Sequence, residues 1–380
     1  MAQIPNLNTL RAARGSASRG GRGRGTGLGL GQDRTTTKPD QDRIVQQTDQ
    51  DASVSRLSAI QVGYLNDPFA RDLASEEAPR RFPIINRGTY VRTTAIDRLT
   101  EAFVQGPSKE KKQIISLGAG SDTRYFRLAS AFPETDFVYH ELDFPANTRQ
   151  KISSITKSQS LLSLIRAGPD GKDGDVAVEQ DGTALYTSAY NLHPIDLRNL
   201  KPPQAPADPA PPSLHNVDPT LPTLLISECC LIYLTPTDAD AILRYFTTHL
   251  FSNPSALGLI IYEPINPNDP FGQVMVQNLA ARGIVLQTLK RYASLSRQKE
   301  RMRVMGFGSG QGSADVDFLY ERWVDEQEKE RVTRLEMLDE VEEWMMLAQH
   351  YCVAWAWRDA EVGEHTFKAW EEIEAQTSDE

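Results

Sequence analysis

Gln113-Ile114-Ile115-Ser116-Leu117-Gly118-Ala119-Gly120-Ser121-Asp122-Thr123-Arg124 is a short apolar strand that runs into two glycines and then a helix start. Such a turn lets backbone approach a charged or nucleotide-like ligand in a doubly wound α/β sheet. Gly118 and Gly120 fit the first two glycines of the dinucleotide fingerprint, but Thr123 stands where the third would be. The pattern therefore argues against a diphosphate ligand such as NAD. On its own it also fits an ordinary tight strand–helix connection.

Outward from this turn, strands and helices alternate, which predicts a parallel sheet with crossover helices. The expected strands are Gln113–Leu117, Phe137–Asp143, a third near Leu185–His193, Thr223–Glu228, Leu257–Tyr262 and a last one near Tyr351–Trp357. Helices are expected over Asp51–Ala74, with Leu57, Ile60, Tyr64 and Leu65 on one face, and over Thr89–Phe103. The stretch Phe82–Gly88 between them reads as a connector. Others are expected over Ala146–Arg166, Thr237–Leu250 and near Phe271–Ala281; Leu295–Met305 is a further segment of unassigned type, followed by an aromatic and acidic helical region from Asp315 to Leu347.

Composition narrows the class. Of 380 residues, 39% are hydrophobic and 24% charged, a globular balance, and no apolar run is long enough to span a bilayer. No secretory signal is read at the N-terminus, and Cys229, Cys230 and Cys352 carry no zinc spacing. Cytoplasm, or cytoplasm plus nucleus, is the expected compartment. The net charge of −10 is uneven: residues 1–38 carry +6, so the rest carries −16. An acidic body argues against nucleic-acid binding. The low-complexity Arg14–Gly31 reads as a dispensable extension, with RNA contact as its alternative.

The expected organisation is a Gly/Arg-rich tail over 1–50, a single domain over 51–360 and an acidic tail over 361–380. The domain holds irregular, proline-rich insertions within 168–222.

Ligands in an open α/β sheet sit beyond the carboxyl ends of the strands. Asp143, Asp196, Glu228 and Glu263 fall there. Asp143 suits both ribose hydroxyls. Asp196 suits an adenine amino group, with the Leu197 amide beside it for a ring nitrogen. Glu228 suits a cationic end. This set fits S-adenosylmethionine, whose sulfonium and ammonium are cationic, and Arg56 and Arg92 on the preceding helices are candidates for its carboxylate. No histidine pairs with these acids at metal-ligand spacing, so no metal is expected. Cys229 and Cys230 read as packing residues, His140 and His350 as structural, and Trp344, Trp355 and Trp357 as core.

Together, several segments resemble a known family. They include Val62–Phe69, Ile85-Asn86-Arg87-Gly88 with Arg92, Leu117–Thr123, Leu142-Asp143-Phe144-Pro145 and Leu221–Cys229. Further on they include Phe271-Gly272-Gln273, Gln298-Lys299-Glu300-Arg301 and His350-Tyr351-Cys352. From about Ala52 to Trp357 the chain is similar to the leucine carboxyl methyltransferases, the eukaryotic branch acting on protein phosphatase 2A. The resemblance implies an S-adenosylmethionine-dependent methyltransferase (Rossmann-like) doubly wound sheet with added N-terminal helices and C-terminal additions. It implies cofactor contacts by Arg92, Gly118, Asp143, Asp196, Leu197 and Glu228, with Arg56 where a lysine is expected in animal relatives.

Tyr233 resembles a residue lining the transfer site, and with Arg92 it is expected to position rather than act as a base. The implied reaction esterifies the α-carboxylate of the phosphatase catalytic subunit's C-terminal leucine, in a protein expected to be monomeric. A small-molecule O-methyltransferase or a non-catalytic phosphatase-binding protein of the same fold are the alternatives.

Overall fold

The computed structural model describes residues 38–74, 79–107, 110–166, 174–205, 207–251, 255–360 and 365–377. A nine-stranded sheet forms the centre. Its strands are β1 (Lys112–Leu117), β2 (Phe137–Asp143), β3 (Ala177–Val178), β4 (Leu185–Tyr186), β5 (Tyr190–Pro194), β6 (Thr223–Glu228), β7 (Leu257–Pro264), β8 (Gly310–Asp315) and β9 (Tyr351–Arg358). The order is β3-β4-β5-β2-β1-β6-β7-β9-β8.

The five central strands, β5-β2-β1-β6-β7, run parallel, while β9 lies antiparallel between β7 and β8. Parallel strands covered on both faces need apolar residues on both. In β6 Leu224 and Ile226 join one core and Leu225 the other, and in β7 Ile260 is opposed to Leu259 and Ile261. The chain leaves β1 towards β2 on one side and later places β6 on the other. The switch point of the sheet therefore lies between β1 and β6.

Several boundaries differ from the sequence expectation. The first helix, α1, spans Lys38–Val62 rather than Asp51–Ala74, so the described fold takes in the last thirteen residues of the expected tail. Its early turns are rich in Asp and Gln and carry no apolar stripe, which is why periodicity missed them. Arg14–Gly31 lies outside the described residues. Helix α2 spans Pro83–Val104: the expected connector is its first turns, with Pro83 at N1, where a missing N–H costs nothing.

The expected helix 146–166 is two, α4 (Pro145–Lys157) and α5 (Gln159–Arg166), following α3 (Arg124–Ala131). The third strand is split into β4 and β5 by a turn built on the Thr187 hydroxyl, which accepts from the amides of Ala189 and Tyr190. Among the described residues, 201–222 form neither helix nor strand.

The C-terminal region adds the unforeseen β8. Gly310 and Gly312 hid it, because glycine weakens a strand pattern. Both are needed: side chains there would occupy the space of the Trp357 and Trp355 rings. Two aromatic residues within the stretch expected as an acidic tail pack on the domain. Phe367 and Trp370 are buried; Phe367 stacks on Phe103 at 5.2 Å, and Trp370 donates from Nε1 to the Leu99 carbonyl at 3.0 Å. Trp344, Trp355 and Trp357 are buried, as expected.

Candidate functional site

Beyond the carboxyl ends of β1, β2, β5 and β6 lies a cavity of about 420 Å³, within the roughly 300–1,000 Å³ range of small-molecule sites. Gly118 and Gly120 form its floor after β1, both with positive φ, +64° and +51°. A Cβ on Gly118 would stand 2.6 Å from Cys230 Sγ, and one on Gly120 would intrude on the Asp49 carboxylate. Only glycine makes both the backbone conformation and the close approach without strain.

Asp143 ends β2 at this floor. Its Oδ2 accepts from the Gly120 amide at 2.7 Å, and its Oδ1 accepts from the Phe144 amide at 2.7 Å and Asn147 Nδ2 at 2.9 Å. Burial pushes its carboxyl above the ordinary range and Asp49 adds to the rise, while these hydrogen bonds pull it back. Asp196 follows β5, caps a 3₁₀ turn by accepting from the Arg198 amide, and lines the cavity with Leu197. Tyr233 closes the β6 side; burial raises its phenol well above the usual value, so it stays protonated.

Gly118, Asp143, Asp196, Leu197 and Tyr233 are thus brought together. Arg56, Arg92 and Glu228 do not line the cavity. They belong to a buried charge cluster that includes the start of α3. Arg92 pairs with Glu228 at 2.9 Å and sits 5.6 Å from the Tyr262 ring centre. Arg124 reaches the other Glu228 oxygen at 3.3 Å and also pairs with Asp122 and Asp97. Arg56 meets Asp67 at 3.1 Å.

Each buried charge here has an opposite neighbour, the condition under which ionised groups survive burial. Burial raises the Asp122 carboxyl, but Arg124, Arg56 and Lys151 outweigh it and hold it down to about 2. Burial, and Arg127 nearby, lower Arg56. Its Nη2 is buried without a hydrogen-bond partner, leaving a donor for an anion.

Sequence reasoning missed the contribution of α1. Asp42, Thr48 and Asp49 line the cavity from it, and Asp49 accepts from the Ser121 amide and hydroxyl at 2.8 and 2.7 Å. It also missed Arg198 and Gln287; the Gln287 amide donates to the Ile232 carbonyl at 2.8 Å and anchors the Tyr233 turn. The one legible signal was the Asp196-x-Arg198 spacing at a predicted strand end. Cys229 and Cys230, expected as packing residues, also line the cavity.

His140 lies in β2 as expected, against His193, while His350 Nε2 meets Asp269 at 2.9 Å. Among the described residues no three His, Cys, Asp or Glu side chains could share a metal ion. Also among them, no helix is long and apolar enough to cross a membrane.

Similarity to known proteins agrees with this geometry. A model of the family described as "Leucine carboxyl methyltransferase" matches residues 44–247. The chain is 54% identical to leucine carboxyl methyltransferase 1 of Aspergillus fumigatus, covering 99% of both chains. It is 52% identical to the protein of that name from Emericella nidulans, over 100% of this chain and 99% of the relative. With the Arabidopsis thaliana leucine carboxyl methyltransferase 1 homolog it shares 37% identity, over 83% of this chain and 90% of the relative. Full-length identity at this level joins the sheet, its switch-point cavity and the glycine turn into one assignment: the chain belongs to the leucine carboxyl methyltransferase family and is a methyltransferase.

Proposed function

We propose that the cavity binds S-adenosylmethionine and that the chain methylates the α-carboxylate of the C-terminal leucine of the protein phosphatase 2A catalytic subunit. The observation that carries this reading is the joining of Gly118 and Asp143 in one cavity at the switch point. Asp42, Asp49, Asp196 and Asp238 line the same cavity, with Arg198 the cation set among them. An acidic lining suits a cationic ligand and repels a diphosphate.

When bound, S-adenosylmethionine supplies an electrophilic methyl group. Asp143 is the acceptor for ribose hydroxyls, and Asp196 with the Leu197 amide serves the purine. The Arg92–Glu228 pair is the charge inverse of an amino-acid end, a carboxylate beside an ammonium. Neither that pair nor Arg56, whose buried Nη2 is a spare donor, lines the cavity, so they serve that end only by turning from their present partners towards it. A C-terminal carboxyl has a pKa of about 3.5 and is ionised at pH 7, so no general base is needed.

The protein's task is alignment and exclusion of water. Tyr233, neutral and buried, can hold one carboxylate oxygen by a hydrogen bond without neutralising the nucleophile. Labelled methyl transfer to intact phosphatase, compared with phosphatase lacking its terminal leucine, tests the reading. Label is expected on the intact subunit alone, as a base-labile ester; equal labelling of both, or of neither, rejects it.

A further inference from the structure

Arg198 makes two carboxylate forks at once. Its Nε and Nη2 donate to Asp196 at 2.6–3.0 Å, and its Nη1 and Nη2 donate to Asp42 at 2.9 and 2.7 Å. Asp42 stands 156 positions earlier, on α1. The guanidinium carbon also lies 5.8 Å from the Phe144 ring centre, next to Asp143. One side chain therefore touches three walls of the cavity: the end of β2, the turn after β5 and the N-terminal helix. Only a planar guanidinium can serve two carboxylates along adjacent edges; an ammonium is a point charge without this geometry.

The same helix is held at a second point. Asp49 accepts from Ser121 on the glycine turn, and a Cβ on Gly283 would stand 2.8 Å from Ile44. The first turns of α1 thus lie across the cavity, tied at Asp42 and Asp49.

We propose that Arg198 is a positioning residue that sets the Asp196 carboxylate for the purine end of the cofactor and straps the first turns of α1 across the cavity. Cofactor exchange then requires the Asp42–Arg198 fork to part. The assignment of a purine to Asp196 rests on the function proposed above; the strap itself does not.

Two measurements on the full chain test it. Amide hydrogen exchange without added ligand should quicken about fivefold over residues 42–49 in both Arg198→Gln and Asp42→Asn, as loss of a partly exposed ion pair allows. The double variant should add nothing further. Calorimetry should find S-adenosylmethionine bound about tenfold more weakly by Arg198→Gln, the loss of one charge-assisted contact. KM for the cofactor should rise with kcat retained, and Arg198→Lys should not restore affinity.

Unchanged exchange in both single variants overturns the strap. Native affinity in Arg198→Gln, or rescue by Arg198→Lys, overturns the positioning role. If the native chain fails to bind S-adenosylmethionine, the cofactor reading and the positioning of Asp196 fall together, and the exchange measurement still decides the strap.

Discussion

Mild acid should loosen the two strands that deliver the cavity's acids. His140 on β2 and His193 on β5 are buried side by side, with His140 Nδ1 3.1 Å from His193 Nε2. His215 also faces the pair, through Tyr186, and Lys111 adds positive charge. Among the described residues, no carboxylate acts on either ring. Burial, then His215, lowers His193 from 6.5 to about 4; burial, then His193, lowers His140 well below its usual value.

The unfolded chain therefore binds protons at higher pH than the folded one. The stabilisation is complete above the unfolded value of 6.5 and is lost as pH falls towards 4. For His193 alone the loss is about 2 kcal/mol by pH 5 and about 3 kcal/mol by pH 4. Urea unfolding at pH 7, 6 and 5 checks this against His193→Gln, which keeps a polar group beside His140. The native chain should lose about 2 kcal/mol more than the variant between pH 7 and pH 5. Parallel stability curves for the two would refute the argument.

Three further outcomes follow from the geometry. Asp143→Ala removes a carboxylate that three donors address, and should weaken S-adenosylmethionine binding about 10- to 100-fold by calorimetry, at 1–3 kcal/mol for a lost charged partner; unchanged affinity would remove Asp143 from the site. Gly120→Ala forces a left-handed alanine, costing about 1–2 kcal/mol, and displaces Asp49. Thermal unfolding should show a larger loss than in Asp49→Ala, and adding Asp49→Ala to it should recover part. Trp370→Ala should cost about 3–5 kcal/mol in denaturant unfolding, the usual cost of emptying a buried indole site. A loss below about 0.5 kcal/mol, as for a surface change, would return residues 365–377 to the status of a tail.

Local pattern made much of the sheet legible. β1, β6 and β7 are short continuous apolar runs, each ending at a glycine or an acid, and such runs mark strands buried on both faces whatever surrounds them. The glycine turn was readable because positive φ and close approach leave few alternatives to glycine. Its missing third glycine and the acids after later strands together pointed to a cationic ligand without a diphosphate.

Elements stabilised by distant partners were not legible. The early turns of α1 are polar on most sides, and they are held by Ser121 and Arg198, 72 and 156 positions away. β8 is glycine-interrupted because two indoles lie over it, and Trp370 looked like part of an acidic tail until it met Leu99.

The sequence by itself determined the parallel sheet, the turn at its switch point and which acids follow the strands. Those depend on residues a few positions apart. Tertiary structure alone decided which charges face the cavity. Arg56 pairs with Asp67 and Arg92 with Glu228 in a buried cluster, whereas Asp42, Asp49 and Arg198 join Asp143 and Asp196 around the cavity. A buried charge must find a counter-charge wherever the fold places one, and that choice is made across the whole chain.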